Sequence, residues 1–305
     1  MWYNSLTRRW PKMDRFSSAK KASILGIIGN LFLFIIKTII TFITNSQAML
    51  ADALNSATDI LSSIMTYIGN KISSKQPDKD HNLGHGKAEY IYSMLISITM
   101  LLLGVKLIIN TIKNLIIGNQ FTFNIWLIII CLITIFTKIL LFLYTNKIGK
   151  KYNNLLVLAN SKDHRNDIII TTCNLISCLL SSFHIFIFDI IVGIGIGIWI
   201  VIAGIKIFKE SYDVLMDKTI SEETKDKVKK IIKKHKEIIK FTHFNATPVG
   251  YKYQISLTIF VDGNLSTFAS HQIADKLEKE INNEVPEIFL AVIHVNPVFI
   301  QDTKK

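Results

Sequence analysis

Two pairs of polar residues interrupt otherwise apolar stretches of the sequence. Asn55 and Asp59 lie within ADALNSATDI, and Asp163 and Asp167 lie within ANSKDHRND. Residues four positions apart share one face of an α-helix, with Cβ atoms about 5–6 Å apart. Each pair is therefore predicted to present its side-chain oxygens to a common neighbour.

The chemistry that fits these pairs is the binding of a divalent cation. A carboxylate at the centre of a membrane costs about 2.5–3.5 kcal/mol on insertion scales, so the three acids need a cationic partner. Their carboxylates and the Asn55 amide oxygen are hard ligands, which suit Mn²⁺ or Mg²⁺ and also accept Fe²⁺. Zinc sites usually contain His or Cys. His164 is expected to face away from the pairs, because it is the direct neighbour of Asp163.

The same residues fit other functions. A structural cluster could hold the two helices together through interhelical hydrogen bonds, although such clusters use Ser, Thr and Asn more often than acids. An intramembrane aspartyl protease needs two acids that share a proton, one from each of two facing helices. Here each pair lies within one helix, which argues against a protease. A membrane-bound metal sensor that does not transport is a further alternative.

Basic residues close to the pairs are not expected to neutralise them. Lys162 and Arg165 flank the second pair in sequence but point to other faces of the helix. Lys37, Lys106 and Lys138 are expected to lie toward the ends of the apolar stretches or to extend their side chains to a membrane interface. We therefore expect the pairs to depend on a bound cation.

The chain is apolar enough to cross a membrane six times. Hydrophobic residues make up 50% of its 305 residues, and a membrane-spanning helix needs about 17–25 residues. Stretches of that kind lie at 22–44, 48–71, 88–112, 124–146, 152–181 and 189–208. The sequence predicts an α-helical membrane protein with six transmembrane helices at 22–208, preceded by a basic cytoplasmic arm at 1–21.

The distribution of charge predicts the orientation of the chain. Residues 1–210 contain 21 Lys and Arg against 10 Asp and Glu, whereas residues 211–305 contain 14 against 13. The excess lies in the arm and in alternate loops, which places both termini in the cytoplasm and the basic loops against anionic lipid. We expect the cytoplasmic membrane of a bacterium. The pattern does not predict a nucleic-acid-binding face, because no groove of interleaved aromatic and basic residues is present.

The sequence pattern of residues 211–305 predicts a small cytoplasmic α+β domain. An amphipathic helix follows an N-cap at Ser221, two strand-like stretches surround a Pro–Gly turn, and a second helix and a last strand complete the domain. The predicted order is α-β-β-α-β.

From residue 22 to residue 297 the chain resembles the cation diffusion facilitator family of divalent-metal exporters. That family has six transmembrane helices, a cytoplasmic α+β domain and a metal motif of spacing four on helices two and five. The resemblance implies that Asn55, Asp59, Asp163 and Asp167 form the transport site. Because no His stands in this set, the chain resembles the manganese-exporting branch, and zinc or ferrous export is the alternative. The implied protein is a homodimer that exchanges Mn²⁺, its substrate, for protons by alternating access; it is not an enzyme and has no prosthetic group.

The resemblance implies two further features near the membrane surface. Asp78, His81 and His85 match positions between helices two and three that bind a second metal in some family members. Lys87 matches a basic residue that can pair across the dimer with an acid after the last transmembrane helix, and Asp217 stands at that position.

The resemblance also implies a metal site in the cytoplasmic domain, although an incomplete one. His243, His271 and His294 stand near positions that bind metal in some members. Ser256 replaces one family His, and Asn296 replaces an acid after the last strand. A domain that only dimerises is the favoured alternative.

Overall fold

The computed structural model describes residues 13–44, 47–117, 125–181 and 187–299. Within them the chain forms eight α-helices and three β-strands. The helices are α1 Met13–Thr44, α2 Gln47–Ser73, α3 Ala88–Ile117, α4 Ile125–Lys151, α5 Leu155–Ser181, α6 Ile187–Leu215, α7 Glu222–Lys234 and α8 Thr267–Glu284. The strands are β1 Lys240–Val249, β2 Lys252–Asp262 and β3 Ile288–Val298. The predicted six long helices followed by α-β-β-α-β are confirmed.

Five of the six long helices extend beyond their predicted ends, and the extension is largest in α1 and α6. The first begins at Met13, so residues 13–21 of the predicted arm are helical, and the sixth continues to Leu215 instead of ending at residue 208. The predicted ends followed the apolar stretches, whereas a helix continues as long as packing and hydrogen bonds support it. Arg15 illustrates this, because it is 4% exposed within α1. Residues 1–12 of the predicted arm and residues 300–305 of the predicted domain lie outside the described residues.

The long helices expose apolar side chains and bury polar ones. Phe42, Leu102 and Phe136 are 79%, 66% and 65% exposed, whereas Asp59 and Asp167 are 6% and 4% exposed. Soluble monomers rarely expose large apolar surfaces, so this pattern is typical of a membrane protein. Within the described residues, stretches long and apolar enough to span a membrane lie at Asp14–Ile43, Ala88–Lys113 and Ile128–Lys151. In that same part of the chain, α2 and α5, which carry the polar pairs, fall short of this criterion.

The helices that carry the polar pairs lie next to each other in the bundle. Helix α5 packs against α2, α3 and α4, while α1 packs against α2 and α4. Helix α1 approaches α2 closely at Gly26, where a Cβ atom would lie 2.9 Å from Ser63 Oγ. A larger residue would push the two helices apart, so Gly26 helps to set the spacing beside the pair on α2.

The described residues of Gln76–Lys87 and Asp213–Lys305 form a separate compact unit. Its sheet has the order β1-β2-β3, with β1 antiparallel and β3 parallel to β2. Ile255, Leu257 and Ile259 alternate along β2 and so point to one face, where Leu277 of α8 and Val228 of α7 join the same hydrophobic cluster. The predicted N-cap at Ser221 is confirmed, because its side chain accepts a hydrogen bond from the Thr224 N–H.

The turn between β1 and β2 supports the segment that precedes α3. Gly250 in this turn has a φ of +66°, a left-handed conformation that glycine adopts without steric cost. A Cβ atom at Gly86 would lie 2.9 Å from the Gly250 Cα atom. The two glycines therefore let the 76–87 segment rest directly on the turn.

Candidate functional site

The structure brings the predicted acidic residues of α2 and α5 together inside the bundle. Asp59, Asp163 and Asp167 are 6%, 5% and 4% exposed. The carboxylate of Asp163 interacts electrostatically with those of Asp59 and Asp167, although the ligand oxygens of the three acids do not all lie within 4.8 Å of one another. Asn55 is half-buried and lies one turn from Asp59 on α2. Three acids in a space shielded from water need positive charge nearby.

Part of that charge comes from Lys138, which the sequence interpretation had placed wrongly. Its Nζ atom lies 2.7 Å from Asp59 Oδ2 and 2.5 Å from Asp167 Oδ2, and its side chain is 1% exposed. The expected extension toward the membrane interface is impossible, because Lys138 lies at the middle of α4, about 20 Å along the axis from either end. Lys37 is also buried, instead of extending outward, and interacts electrostatically with Asp167. Lys106 is exposed, as expected.

His164, which the sequence interpretation turned away from the acids, lies inside the bundle. It is fully buried and interacts electrostatically with Lys138. Asn160, Asp163, His164 and Asp167 have the spacing i, i+3, i+4, i+7, which forms one broad helix face, and all four are buried. Among the described residues, both ring nitrogens of His164 and both amide atoms of Asn160 lack a hydrogen-bond partner. The buried face of α5 therefore carries nitrogen and amide oxygen atoms that no described residue satisfies.

The flanking basic residues of α5 point elsewhere, as expected. The Arg165 guanidinium lies 4.2 Å from the centre of the Trp199 ring on α6. Lys162 interacts electrostatically with Glu210, which also lies on α6. Neither is therefore a counter-ion of the acids.

A second layer of polar side chains holds α2 in place. The Asn30 amide nitrogen donates to the Asp59 backbone carbonyl at 3.1 Å and to Ser63 Oγ at 3.1 Å. Asn30 and Ser63 are fully buried. The sequence interpretation missed this contact, because the rotation of α1 about its axis cannot be deduced from its composition.

A buried ion pair fixes the start of the helix that carries Asp163. Arg15 donates to Glu89 Oε2 at 2.6 Å and to the Tyr152 carbonyl at 3.1 Å. Glu89 Oε1 accepts the backbone N–H of Leu155 at 2.7 Å. The pair joins α1, α3 and the first turn of α5, and it was also missed from the sequence.

The separate unit contains a compact set of metal-ligand atoms in the 76–87 segment. His81 Nδ1 lies 3.3 Å from Asp78 Oδ1, and His85 Nε2 lies 3.4 Å from Asp78 Oδ2. The His81 backbone N–H donates to Asp78 Oδ1, which lowers the pKa of this carboxyl group and keeps it ionised. Within the described ranges, this is the one group of three acidic, His or Cys side chains whose ligand atoms all lie within 4.8 Å of one another. Two imidazoles and a carboxylate fit Zn²⁺ or Fe²⁺ and accept Mn²⁺.

We expect His85→Ala to remove one bound metal ion per chain. Even the loss of an outer-shell partner of a ligand weakens metal binding by about 10- to 100-fold, so the loss of a ligand should cost at least as much. Equilibrium dialysis of the full-length protein against Zn²⁺, Fe²⁺ and Mn²⁺ measures this change. His271→Ala is the matched control, because His271 is exposed and its nearest acid is Asp275 at 3.6 Å. Equal metal content in both variants would contradict the assignment.

The three histidines predicted in the cytoplasmic domain are not brought together. His243 lies on β1 and His294 on β3, on opposite sides of β2, and strands two positions apart are separated by roughly 10 Å. His271 lies on the exposed surface of α8. Throughout the described part of the domain, the three belong to no compact group of ligand atoms, so one chain does not assemble the predicted site.

Lys87 and Asp217 pair within one chain. The Lys87 Nζ atom lies 2.7 Å from Asp217 Oδ1, and both side chains are partly exposed. A second protomer is therefore not needed to satisfy either charge.

The chain matches family models along most of its length. Residues 23–216 match the cation efflux transmembrane domain, and residues 220–298 match the cytoplasmic domain of cation efflux proteins. The first match contains both polar pairs, and the second contains the three-stranded sheet.

Similar proteins of comparable length occur in bacteria. The manganese efflux system protein MneP of Bacillus subtilis is 27% identical over 293 residues, which cover 94% of this chain and 98% of that protein. The manganese efflux system protein MneS of the same organism is 28% identical over 293 residues, with coverage of 94% and 99%. The magnetosome protein MamB of Magnetospira sp. is 25% identical over 264 residues, with coverage of 87% and 90%.

Proposed function

Because the chain belongs to the cation efflux family of membrane transporters, we propose that it exports Mn²⁺ through the site formed by Asn55, Asp59, Asp163 and Asp167. The observation that carries this proposal is the convergence of three acids, each less than a tenth exposed, between α2 and α5. Buried ionisable groups in a membrane protein typically mark the path of an ion.

The choice of manganese rests on the ligand atoms and on the relatives. Carboxylate and amide oxygens prefer Mn²⁺ over the softer Zn²⁺, and MneP and MneS are named as manganese efflux proteins. MamB, an equally long relative, carries a name that specifies no metal. One observation favours Zn²⁺ or Fe²⁺ instead, namely the burial of the His164 imidazole on the helix that carries Asp163 and Asp167, since Zn²⁺ usually takes a nitrogen ligand.

Alternating access with proton exchange is the mechanism we propose. The site faces the cytoplasm, takes up the metal, and faces outward after the helices rock. Ligands must lose their protons to bind a metal, so metal and protons compete for the same carboxylates. In the resulting cycle the empty site returns carrying protons. The chain acts as a homodimer joined through its cytoplasmic domain, in the cytoplasmic membrane of a bacterium, with both termini in the cytoplasm.

Inside-out vesicles with purified protein and an internal pH dye test the proposal. Uptake of Mn²⁺, Zn²⁺, Fe²⁺ and Cd²⁺ is compared between the wild type and Asp163→His, which adds a nitrogen ligand. We expect Mn²⁺-selective uptake with loss of protons from the lumen, and a gain of Zn²⁺ uptake in the variant. Uptake of Zn²⁺ in preference to Mn²⁺ by the wild type would overturn the choice of manganese and favour His164 as a ligand. No uptake of any metal would overturn transport and favour a metal sensor.

A further inference from the structure

Lys138 connects the two helices that carry the metal motif. Its ammonium group bonds Asp59 Oδ2 of α2 and Asp167 Oδ2 of α5, and its side chain is 1% exposed. Within the described residues, Lys138 forms no ion pair with Asp163. The lysine thus binds oxygens of both motif helices, as a cation held between the helices would.

The remaining oxygens form a separate set of ligands. Asp167 Oδ1 is buried and has no hydrogen-bond partner among the described residues. The carboxylate of Asp163 interacts electrostatically with the other two acids, and the Asn55 amide is one turn from Asp59. A divalent ion can therefore find oxygen ligands beside the ammonium group or in its place.

An ammonium group has the single charge of Na⁺ or K⁺ and a similar size. It is tethered to α4, so its effective concentration at the two carboxylates is far above that of a free ion. A monovalent ion that displaced it would exchange one single charge for another and would lose the benefit of the tether. A divalent ion brings twice the charge to the same acids, so its attraction to them is twice as large at equal distance.

We propose that Lys138 determines the specificity of the transport site, because its tethered ammonium takes the place of a monovalent cation and thereby excludes Na⁺ and K⁺. This inference rests on the proposed transport function. Lys37, which interacts with Asp167 electrostatically, adds positive charge to the same region. Lys138 itself bonds directly to both motif helices.

The test measures Mn²⁺ binding to the full-length protein in lipid nanodiscs. The electron paramagnetic resonance signal of free Mn²⁺ reports binding, and ionic strength is kept constant while choline is replaced by Na⁺ or K⁺. We expect Mn²⁺ binding by the wild type to be the same in all three salts. Lys138→Gln should bind Mn²⁺ about 5- to 150-fold more tightly in choline and lose affinity when Na⁺ or K⁺ is present.

Two variants separate the charge from the substitution itself. Lys138→Arg keeps the positive charge and should remain insensitive to Na⁺ and K⁺. Lys106→Gln removes a lysine from the exposed surface of α3 and should behave as the wild type does. Unchanged or weaker Mn²⁺ binding by Lys138→Gln, with no effect of Na⁺ or K⁺, would overturn the proposal.

A direct binding measurement covers the case in which Lys138→Gln does not fold. The variant Asp59→Asn/Lys138→Gln removes both partners of one ion pair and leaves the net charge of the site unchanged. Radioactive Na⁺ should bind this variant, should be displaced by Mn²⁺, and should not bind the wild type. No Na⁺ binding by the double variant would overturn the role of Lys138 even if the wild type binds and transports Mn²⁺. No Mn²⁺ binding by the wild type would overturn the proposed transport site, and this inference with it.

Discussion

Asp163→Asn is expected to abolish metal transport and to make the folded protein more stable. Asp163 is 5% exposed and interacts electrostatically with two other acids. In the described structure, the Lys138 ammonium pairs with those two acids and not with Asp163. Burial of this carboxyl group beside two other acids therefore costs stability, which is typical of residues kept for function.

The substitution is expected to lower the transport rate and to raise the free energy of unfolding. Transport should fall by about 100-fold or more, because a ligand carboxylate is lost. The free energy of unfolding should rise by about 1 kcal/mol, as often happens when a functional site is made less polar. Vesicle uptake measures the first change, and thermal unfolding in detergent, followed by a thiol-reactive dye, measures the second through buried Cys131.

Asp226→Asn is the matched control for this prediction. Asp226 lies on the exposed surface of α7, where it pairs with Lys229 at 2.9 Å. Its substitution should leave transport unchanged and should alter stability by less than about 0.5 kcal/mol. A stable, active Asp163→Asn protein would remove Asp163 from the transport site, and an unstable, inactive one would make it a structural residue.

The order of the elements could be predicted from the sequence because it depends on local patterns. Apolar stretches long enough for a membrane identified six helices, and the cap at Ser221 marked the start of α7. The ends of the helices could not be predicted in the same way. Arg15 lies before the first apolar stretch and is nevertheless buried in α1. The sequence does not predict this burial, because the partner of Arg15 is Glu89, which is distant in sequence.

The candidate site could be predicted only where its residues share one helix. The spacing of four was enough to pair Asp163 with Asp167, because a helix fixes their relative positions. Lys138 lies on another helix, and the sequence does not determine how α4 is rotated toward α5. Its position at the middle of a long apolar helix was the available signal, since no interface is within reach of its side chain there.

The histidines follow the same rule. His81 and His85 lie in one short segment with Asp78, and the structure brings their ligand atoms together. His243 and His294 were grouped by resemblance alone, and the order of the strands separates them. Both groups were implied by the resemblance, but the residues of the first lie within eight positions of one another, whereas the second depends on a strand order that the sequence does not determine.

Arg15→Met is expected to destabilise the transmembrane unit by about 3–5 kcal/mol, the usual cost of leaving one partner of a buried ion pair without the other. Arg15 is 4% exposed and Glu89 is 1% exposed. Without the guanidinium, the Glu89 carboxylate keeps the Leu155 N–H but loses its bond at 2.6 Å to Arg15. Thermal unfolding in detergent, compared among the variants, measures the change.

A second variant shows whether the charge of Glu89 causes this loss. In Arg15→Met/Glu89→Gln the side chain is neutral and still accepts the Leu155 N–H, so the double variant should be more stable than Arg15→Met alone. Lys20→Met is the control, because Lys20 is exposed on the same helix and its loss should change little. If Arg15→Met matched Lys20→Met, the pair would contribute nothing to the start of α5. If the loss of stability in Arg15→Met/Glu89→Gln equalled the sum of the losses in Arg15→Met and in Glu89→Gln, Arg15 and Glu89 would act independently. The position of Asp163 would then depend on packing alone.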